Sequence, residues 1–523
     1  MQLKELIKHS SVSLVGDLHH RNLTITGIAL DSRKVVEGNL FFAVEGENFD
    51  GHDFIDDAIK RGASAVIGRK RLSSLTVPYL ICPEPRKEMA YISAGFYGNP
   101  AKDLTVIGVT GTDGKTTTVN LIYRMLLENN ILAGMISTVN AVIGDEVLDT
   151  GFHVTTPESP QIQEYLKMMV DKGLTHVVLE ATSHGLVQER VTACEFDVAV
   201  ITNITHEHLD YHKNYAGYFD AKFRLVRELT ASRDKETGNF YALVFNKDDR
   251  SYQEIEKRLN NPQFQKIKKF IYGLENPEND FSASNIYLSG DGIRFDLWHS
   301  GKTKSINAPI HGEYNVHNIL AAITATSGVL GLDLDKTIDA VNMFTGVPGR
   351  MESISLGQDF HAIVDFAHTP NALKVALETA RKITDNSVIA VFGSAGLRDK
   401  EKRKMMAAVS AELADITILT AEDPRTEDLD QILNEMQKAA ISKGAVIGKT
   451  LFSIPDRGDA IRKAVHLAGE NDIVLACGKG HEQSMCFGTI EYPWDDRTAM
   501  RAALAEILGL KEGPVMPYLP TQE

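Results

Sequence analysis

The stretch LTVIGVTGTDGKTTTVNLIYRMLLE, residues 104–128, decides the fold. Leu104–Val109 is an apolar run of strand length, and from Thr116 onward Val119, Ile122, Tyr123, Leu126 and Leu127 recur at near-helical spacing. Between them, in GVTGTDGKTTT, Gly111 and Gly114 permit a tight turn and let backbone N–H groups approach phosphate oxygens. Lys115 brings a cation for outer phosphates, Thr116 a hydroxyl suited to Mg²⁺, and the helix start adds partial positive charge. A strict Walker A loop carries Gly five positions before Gly114, where this chain has Val109. The unit predicted is a strand, a phosphate loop and a helix.

Working outward, the apolar runs His176–Leu179 and Val198–Ile204 continue the strand–helix pattern, and residues from about 235 to 310 alternate as an antiparallel extension would. Pro100 and a polar pair mark one boundary, and a third unit opens near Pro348 with AIVDF, SVIAVFGS, ITILTAED and DIVLACGKG, separated by helical stretches such as Ala372–Ile383. Strand–helix alternation implies parallel sheets, which place ligands at the carboxyl ends of their strands. The fold expected is α/β in three domains. Residues 1–103 form a smaller N-terminal domain, 104–345 a central parallel-sheet phosphate-loop domain, and 346–523 a C-terminal Rossmann-like domain.

Composition bounds the function. At 523 residues the chain is too long for one ordinary core. A formal net charge of −15 argues against a general nucleic-acid binder, which needs a basic stripe. Four cysteines without CxxC or metal-ligand spacing read as isolated buried thiols, suited to a reducing cytosol. MQLKELIKHSSVSLVG has no basic segment leading into a long apolar stretch, and no apolar run approaches the roughly 20 residues that span a bilayer. A cytoplasmic protein with no membrane or nucleic-acid partner is expected, acting as a monomer.

Other motifs sit where ligands would. Glu180 closes THVVLE, and NITHEHLDYH supplies His206, Glu207, His208, Asp210 and His212. These are ligand types for a nucleotide–Mg²⁺ complex, whereas HxH without a clear third ligand is a weak zinc signal. ATSHGLVQER adds hydroxyls, an amide and an arginine beside Glu180, although a helix cap with polar neighbours reads equally well. On residue chemistry alone Lys222, in YFDAKFRLVREL, is a solvated helix-face residue. In the later half Asn315 and Asn318, Arg350 after a Pro–Gly turn, Asp365 and His368, GSAGLRDKEKR, AEDPRTED and GKGHEQ each place charge after an apolar run.

The ordered set GVTGTDGKTTT, HVTTPES, EATSHGLVQER, TNITHEHLDYH, DAKFRL, GEYNVHN, PGRME, DFAHTPNAL, GSAGLRDKEKR, EDPRTED and GKGHEQ resembles the Mur ligase family throughout, nearest to its MurE-type branch. The segment DSRKVVEGNLFFAVEGENFDGHDFI resembles that branch's uridine-binding domain. The resemblance implies ATP phosphates at Gly111, Thr112, Asp113, Gly114, Lys115, Thr116 and Thr117, with Lys115 catalytic. It implies Mg²⁺ among Thr116, Glu180, His208 and a carbamylated Lys222. Asn315 and Asn318 would face adenine, and Arg350 and Asp365 phosphate and ribose. Leu30, Ser32, Glu47, Asn48 and Phe49 match uridine-site positions, and Thr155, Thr156, Thr182, Gln188 and Arg190 match those holding the muramoyl peptide. Arg398, Glu422, Asp423, Pro424, Arg425, Gly478 and Glu482 match the pocket for the incoming amino acid.

The implied chemistry is amide formation. A carboxylate of UDP-MurNAc-L-Ala-D-Glu attacks the γ-phosphate of ATP, and the amine of a diamino acid then displaces phosphate from the acyl phosphate. Exclusion of water from that intermediate calls for closure of the third domain over the central one. Enzymes of this branch that add meso-diaminopimelate typically read DNPR where this chain reads EDPR, Glu422–Arg425. An anion at Asp423 in place of an amide favours an ammonium, so lysine or ornithine is expected slightly ahead of diaminopimelate. Rival expectations are a folate-polyglutamate or cyanophycin-type ligase and, from another class, a non-catalytic nucleotide-dependent binding protein.

Overall fold

The computed structural model describes the whole chain except residues 9, 16–22, 47–48, 73–74, 149–155, 206–211, 213, 237, 277, 290–291 and 522–523, and only the backbone of 14 and 15. It divides into two compact units, Met1–Ala283 with Leu297–Thr303 and His317–Val341, and Ser284–Asp296 with Lys304–Val316 and Asn342–Glu523.

In the first unit β1 (Ser13–Val15), β2 (Gly27–Ala29), β3 (Asn39–Ala43), β4 (Ala65–Gly68) and β5 (Tyr79–Ile81) form one sheet in the order β1-β5-β4-β3-β2. It is parallel except at β1. A second sheet contains β6 (Thr105–Thr110), β7 (Ala133–Ile136), β8 (Ala141–Ile143), β9 (Glu146–Leu148), β10 (His176–Glu180), β11 (Val198–Ile201), β12 (Ala242–Asn246) and β13 (Lys268–Leu274), in the order β13-β12-β11-β6-β10-β7-β8-β9. Continuous apolar runs such as VAVI and ALVFN are buried along their length, as strands covered on both faces must be. The helix after the phosphate loop, Lys115–Glu128, buries Val119, Leu121, Ile122, Met125 and Leu126. Leu127 is exposed, so Met125 and Leu121 occupy the buried stripe that periodicity gave to Tyr123 and Leu127.

The stretch 235–310 forms strands, but β13 pairs in parallel with β12 and, through Tyr272–Leu274 and Phe281–Ala283, with β14 (Phe281–Ser289). Strands β15 (Gly292–His299) and β16 (Lys302–Ala308) follow after connections too short for a crossover.

The second unit holds β17 (Glu352–Ile354), β18 (His361–Asp365), β19 (Val388–Phe392), β20 (Ile416–Leu419), β21 (Leu451–Ser453) and β22 (Ile473–Cys477), ordered β17-β18-β22-β19-β20-β21. Only β17 runs antiparallel to its neighbour. Side chains alternate between two cores: Ile363 joins Leu373, Leu377, Met406 and Ile432, whereas Val364 joins Ile461, Val465, Met500 and Leu504. Helices therefore cover both faces, leaving the strand ends open for function.

Candidate active site

Three neighbouring strands of the central sheet deliver the phosphate-loop machinery. Glu180 lies opposite Val109, and Ile201 opposite Thr110, so the residues after β10 and β11 flank the loop after β6. Gly114 is the N-cap of Lys115–Glu128 at φ +80°, and a Cβ there would stand 2.0 Å from Asn318 Oδ1. Only glycine meets both demands. The loop is braced from β11: Asp113 N donates to Asn203 Oδ1 (2.9 Å), Thr202 Oγ1 donates to Asp113 O (2.6 Å), and Thr205 N donates to Thr112 Oγ1 (2.9 Å). Lys115 Nζ donates to Thr112 O (2.7 Å), curled over the loop it would serve.

Thr116 and Glu180 are both buried, and the Thr116 hydroxyl donates to Glu180 Oε2 at 3.0 Å; Thr138 N donates to the same oxygen at 3.1 Å. A hydroxyl and a carboxylate at a helix N-terminus beside a phosphate loop form a hard oxygen set that fits Mg²⁺. Lys222, on the helix Tyr215–Ala231, is 1% exposed, not solvated as residue chemistry alone indicates. Its Nζ donates to Gly111 O and lies 4.6 Å from the centre of the Tyr218 ring. His208, with His206, Glu207 and Asp210, lies outside the described residues, as do Glu47, Asn48 and Thr155.

The positions that the resemblance matches to the muramoyl peptide, Thr155 aside, are joined by hydrogen bonds. Thr182 caps the short helix Ser183–Val187 by accepting from Gly185 N, and its hydroxyl lies 3.0 Å from that of Thr156. Arg190 donates to Thr156 O (2.6 Å) and to Gln188 Oε1 (2.7 and 3.1 Å). In the N-terminal sheet region Ser32 is buried at the start of a helical turn capped by Asp31, Leu30 is half-buried, and Phe49 is 74% exposed.

In the second unit, Arg350, Asp365 and the predicted amino-acid pocket gather at the carboxyl end of the sheet. Gly349 has φ +66°, and a Cβ on it would stand 2.2 Å from backbone atoms of Gly480 and His481, which ties the Arg350 turn to the GKGHEQ loop. Arg350 lies over the Phe366 ring at 4.5 Å. Asp365 accepts from Met351 N (2.7 Å) and Ala367 N (2.8 Å); burial pushes its carboxyl up, opposed by Arg350 and those N–H groups. Asn315, part of this unit, donates to His311 O at 2.6 Å.

Asp423 is 5% exposed and not available as a free anion, because its Oδ1 accepts from Lys479 Nζ (3.0 Å) and Cys486 N (2.9 Å). Burial lowers the Lys479 ammonium, but Glu482 and Asp423 outweigh it and hold it above its ordinary value. Burial pushes Glu422 up to about 7 against the pull of Lys402, Arg457 and Lys479. Burial, reinforced by Arg350, pushes His481 down to about 3. Glu422 Oε2, His481 Nδ1 and Arg350 Nε are buried with no hydrogen-bond partner among the described residues. Arg398 is exposed, and Asp423 and Arg425 hold positive φ of 38° and 55°, strain of the kind that gathers at functional loops.

Two buried arginines brace these loops. Arg457, fully buried, pairs bidentately with Asp496 (2.7 and 2.6 Å) and donates to Ala421 O and Cys477 O, the residues just before Glu422 and Gly478. Arg403, fully buried, pairs with Glu427 (2.8 and 2.9 Å), whose Oε2 also accepts from Leu397 N; Arg403 pulls that carboxyl down to about 2. Arg457 stands in no pattern that marks it from its neighbours, whereas Arg403 and Glu427 belong to the charged motifs GSAGLRDKEKR and AEDPRTED.

Comparison with known proteins agrees across the chain. The Mur ligase middle domain matches residues 109–326, the Mur ligase glutamate ligase domain 349–480, and the Mur ligase family catalytic domain 24–88. A UDP-N-acetylmuramoyl-L-alanyl-D-glutamate–2,6-diaminopimelate ligase of Geobacillus thermodenitrificans is 39% identical over 508 residues, 97% of this chain and 100% of its own. A UDP-N-acetylmuramyl-tripeptide synthetase of Roseiflexus sp. is 37% identical, covering 97% and 99% of the two chains. A solved UDP-N-acetylmuramoyl-L-alanyl-D-glutamate–2,6-diaminopimelate ligase superposes with a TM-score of 0.66 at 30% identity, covering 97% and 99%. These end-to-end matches favour the main expectation over the folate-type and non-catalytic alternatives. The chain belongs to the Mur ligase family, and it is an ATP-dependent ligase of peptidoglycan precursor synthesis.

Proposed function

We propose that the protein joins a 2,6-diamino acid to UDP-MurNAc-L-Ala-D-Glu through an acyl phosphate, and that diaminopimelate is its amino acid. The observation that carries the ligase reading is Lys222, buried on its helix with its Nζ donating to Gly111 O of the phosphate loop. A phosphate loop alone binds nucleotide; a lysine buried against the loop that leads to the Thr116–Glu180 pair suits a second ligand oxygen, as carbamylation of Lys222 would supply. Mg²⁺ held by Thr116, Glu180, His208 and the carbamate would neutralise charge where two anions must meet.

The chain's own groups carry the rest. The Lys115 ammonium leaves Thr112 O for the outer phosphates of ATP, and the N–H groups of Gly111–Thr117 cradle them. Arg190, with Thr156, Thr182 and Gln188, orients the muramoyl dipeptide, while Leu30, Ser32 and residues 47–49 take uridine. Asn315 and Asn318 face adenine, and Arg350 and Asp365 the phosphate and ribose. This assigns uridine to 1–103, the ATP phosphates and the muramoyl dipeptide to 104–345, and the amino acid, with the Arg350 and Asp365 contacts to ATP, to 346–523. The protein works in the cytoplasm as a monomer.

For the amino acid, the ion pair with Lys479 removes the reason to expect Asp423 to select an ammonium. Arg425 remains for a distal carboxylate through a bidentate pair, and relatives named as diaminopimelate ligases point the same way. Ligation measured in parallel with meso-diaminopimelate, lysine and ornithine tests this. Preference for lysine or ornithine overturns the choice of amino acid, and no product with any of them overturns the ligase reading.

A further inference from the structure

We propose that Glu158 and Arg86 are positioning residues for the UDP-linked acceptor: Glu158 fixes the Arg190 guanidinium, and Arg86 keeps the trio at a net positive charge. The inference rests on the reading of Arg190 as an acceptor-binding residue.

Glu158 is the N-cap residue of the helix Ser159–Asp171, yet its side chain makes no cap hydrogen bond. Its carboxylate instead turns to two arginines: Oε1 lies 3.0 Å from Arg190 Nη2 and Oε2 lies 3.5 Å from Arg86 Nη1. Arg190 is already held by Thr156 O, 34 residues earlier, and by Gln188 Oε1, two residues earlier, and these bonds fix the plane of its guanidinium. The loop is also tied from the helix that carries Lys222, where Arg224 Nη1 donates to Glu189 Oε1 at 2.8 Å.

Arg86 is placed against local preference. It stands in the first turn of the helix Pro85–Phe96, where the helix dipole disfavours a cation. Its Nη1 is buried and makes no hydrogen bond among the described residues, and Glu158 Oε2 opposite it makes none there either. The pair is thus an electrostatic contact and not a closed salt bridge. One carboxylate shared by two guanidinium groups leaves one positive charge in excess. Without Arg86, Glu158 would neutralise Arg190 and the site would lose its attraction for an anionic acceptor. Without Glu158, Arg190 would keep its charge and lose its direction. Either loss acts on the acceptor and leaves ATP untouched.

The experiment compares steady-state kinetics of the wild type, Arg86→Met, Arg86→Lys, Glu158→Gln and Arg190→Lys, varying UDP-MurNAc-L-Ala-D-Glu and ATP separately, with thermal melts of each variant. Arg86→Met is expected to raise KM for the acceptor about five- to tenfold with the ATP KM unchanged, Arg86→Lys to recover most of that loss, and Glu158→Gln to raise the acceptor KM while lowering kcat. An acceptor KM within about twofold of wild type in Arg86→Met, or an ATP KM that rises in step with it, overturns the inference. If Arg190→Lys itself leaves the acceptor KM unchanged, the reading of Arg190 fails, and this inference falls with it.

Discussion

Replacing Asp496 with Asn tests how the amino-acid pocket is held. Asp496 and Arg457 are both fully buried and share two hydrogen bonds, and Trp494 Nε1 donates to the same carboxylate at 2.8 Å. Asn accepts through one oxygen only, and its NH₂ group then faces an arginine N–H. Arg457 would keep its bonds to Ala421 O and Cys477 O but would lose its counter-charge. Removing one member of a buried pair costs about 3–5 kcal/mol. With a urea dependence of about 1–3 kcal/mol per molar, the midpoint of unfolding of this unit should fall by roughly 1–5 M. Trp494, 2% exposed in the second unit, makes the transition visible by fluorescence. Arg457→Met with Asp496→Leu should recover part of the loss, because no orphaned charge remains. A fall below about 1 kcal/mol in the single variant, or full additivity in the double one, would refute the reasoning.

Lys222→Ala should lower turnover on the order of 10²-fold or more, with partial restoration by bicarbonate or another small acid; near-normal turnover removes Lys222 from the mechanism. Glu422 binds its proton more tightly in the folded chain, at about 7 against an ordinary 4.5, so stability should fall as pH rises from 4.5 to 7. The loss is roughly 3 kcal/mol across that window, and melts of Glu422→Gln should lack it. Gly349→Ala places a Cβ against backbone of the GKGHEQ loop at positive φ, where handedness alone costs about 1–2 kcal/mol. A weaker ATP affinity and a lower melting temperature are expected, and an unchanged ATP KM would detach that turn from the nucleotide.

Legibility in the sequence followed how local each feature is. The phosphate loop, its strand and its helix are contiguous, so spacing alone placed the strand Thr105–Thr110 and the helix start at Lys115 to within a residue. Glu180 was visible because it closes an apolar strand. Lys222 was not, since its burial depends on Gly111 O arriving from more than a hundred residues away. The family resemblance marked it where periodicity did not. Asp423 illustrates the reverse case: its identity was plain, but its charge is spent on Lys479, a partner 56 residues on. Arg457, Asp496, Glu158 and Arg86 act through pairings that no local pattern announces.

The acyl phosphate is the central claim, and isotope transfer tests it most directly. UDP-MurNAc-L-Ala-D-Glu labelled with ¹⁸O in the reacting carboxylate is ligated, and the released phosphate is analysed by mass spectrometry. Attack of that carboxylate on the γ-phosphate leaves one of its oxygens on phosphorus when the amine displaces phosphate. Each phosphate released should therefore carry one ¹⁸O derived from the acceptor. Phosphate without label, or ATP turnover that proceeds without the dipeptide acceptor, would contradict the account.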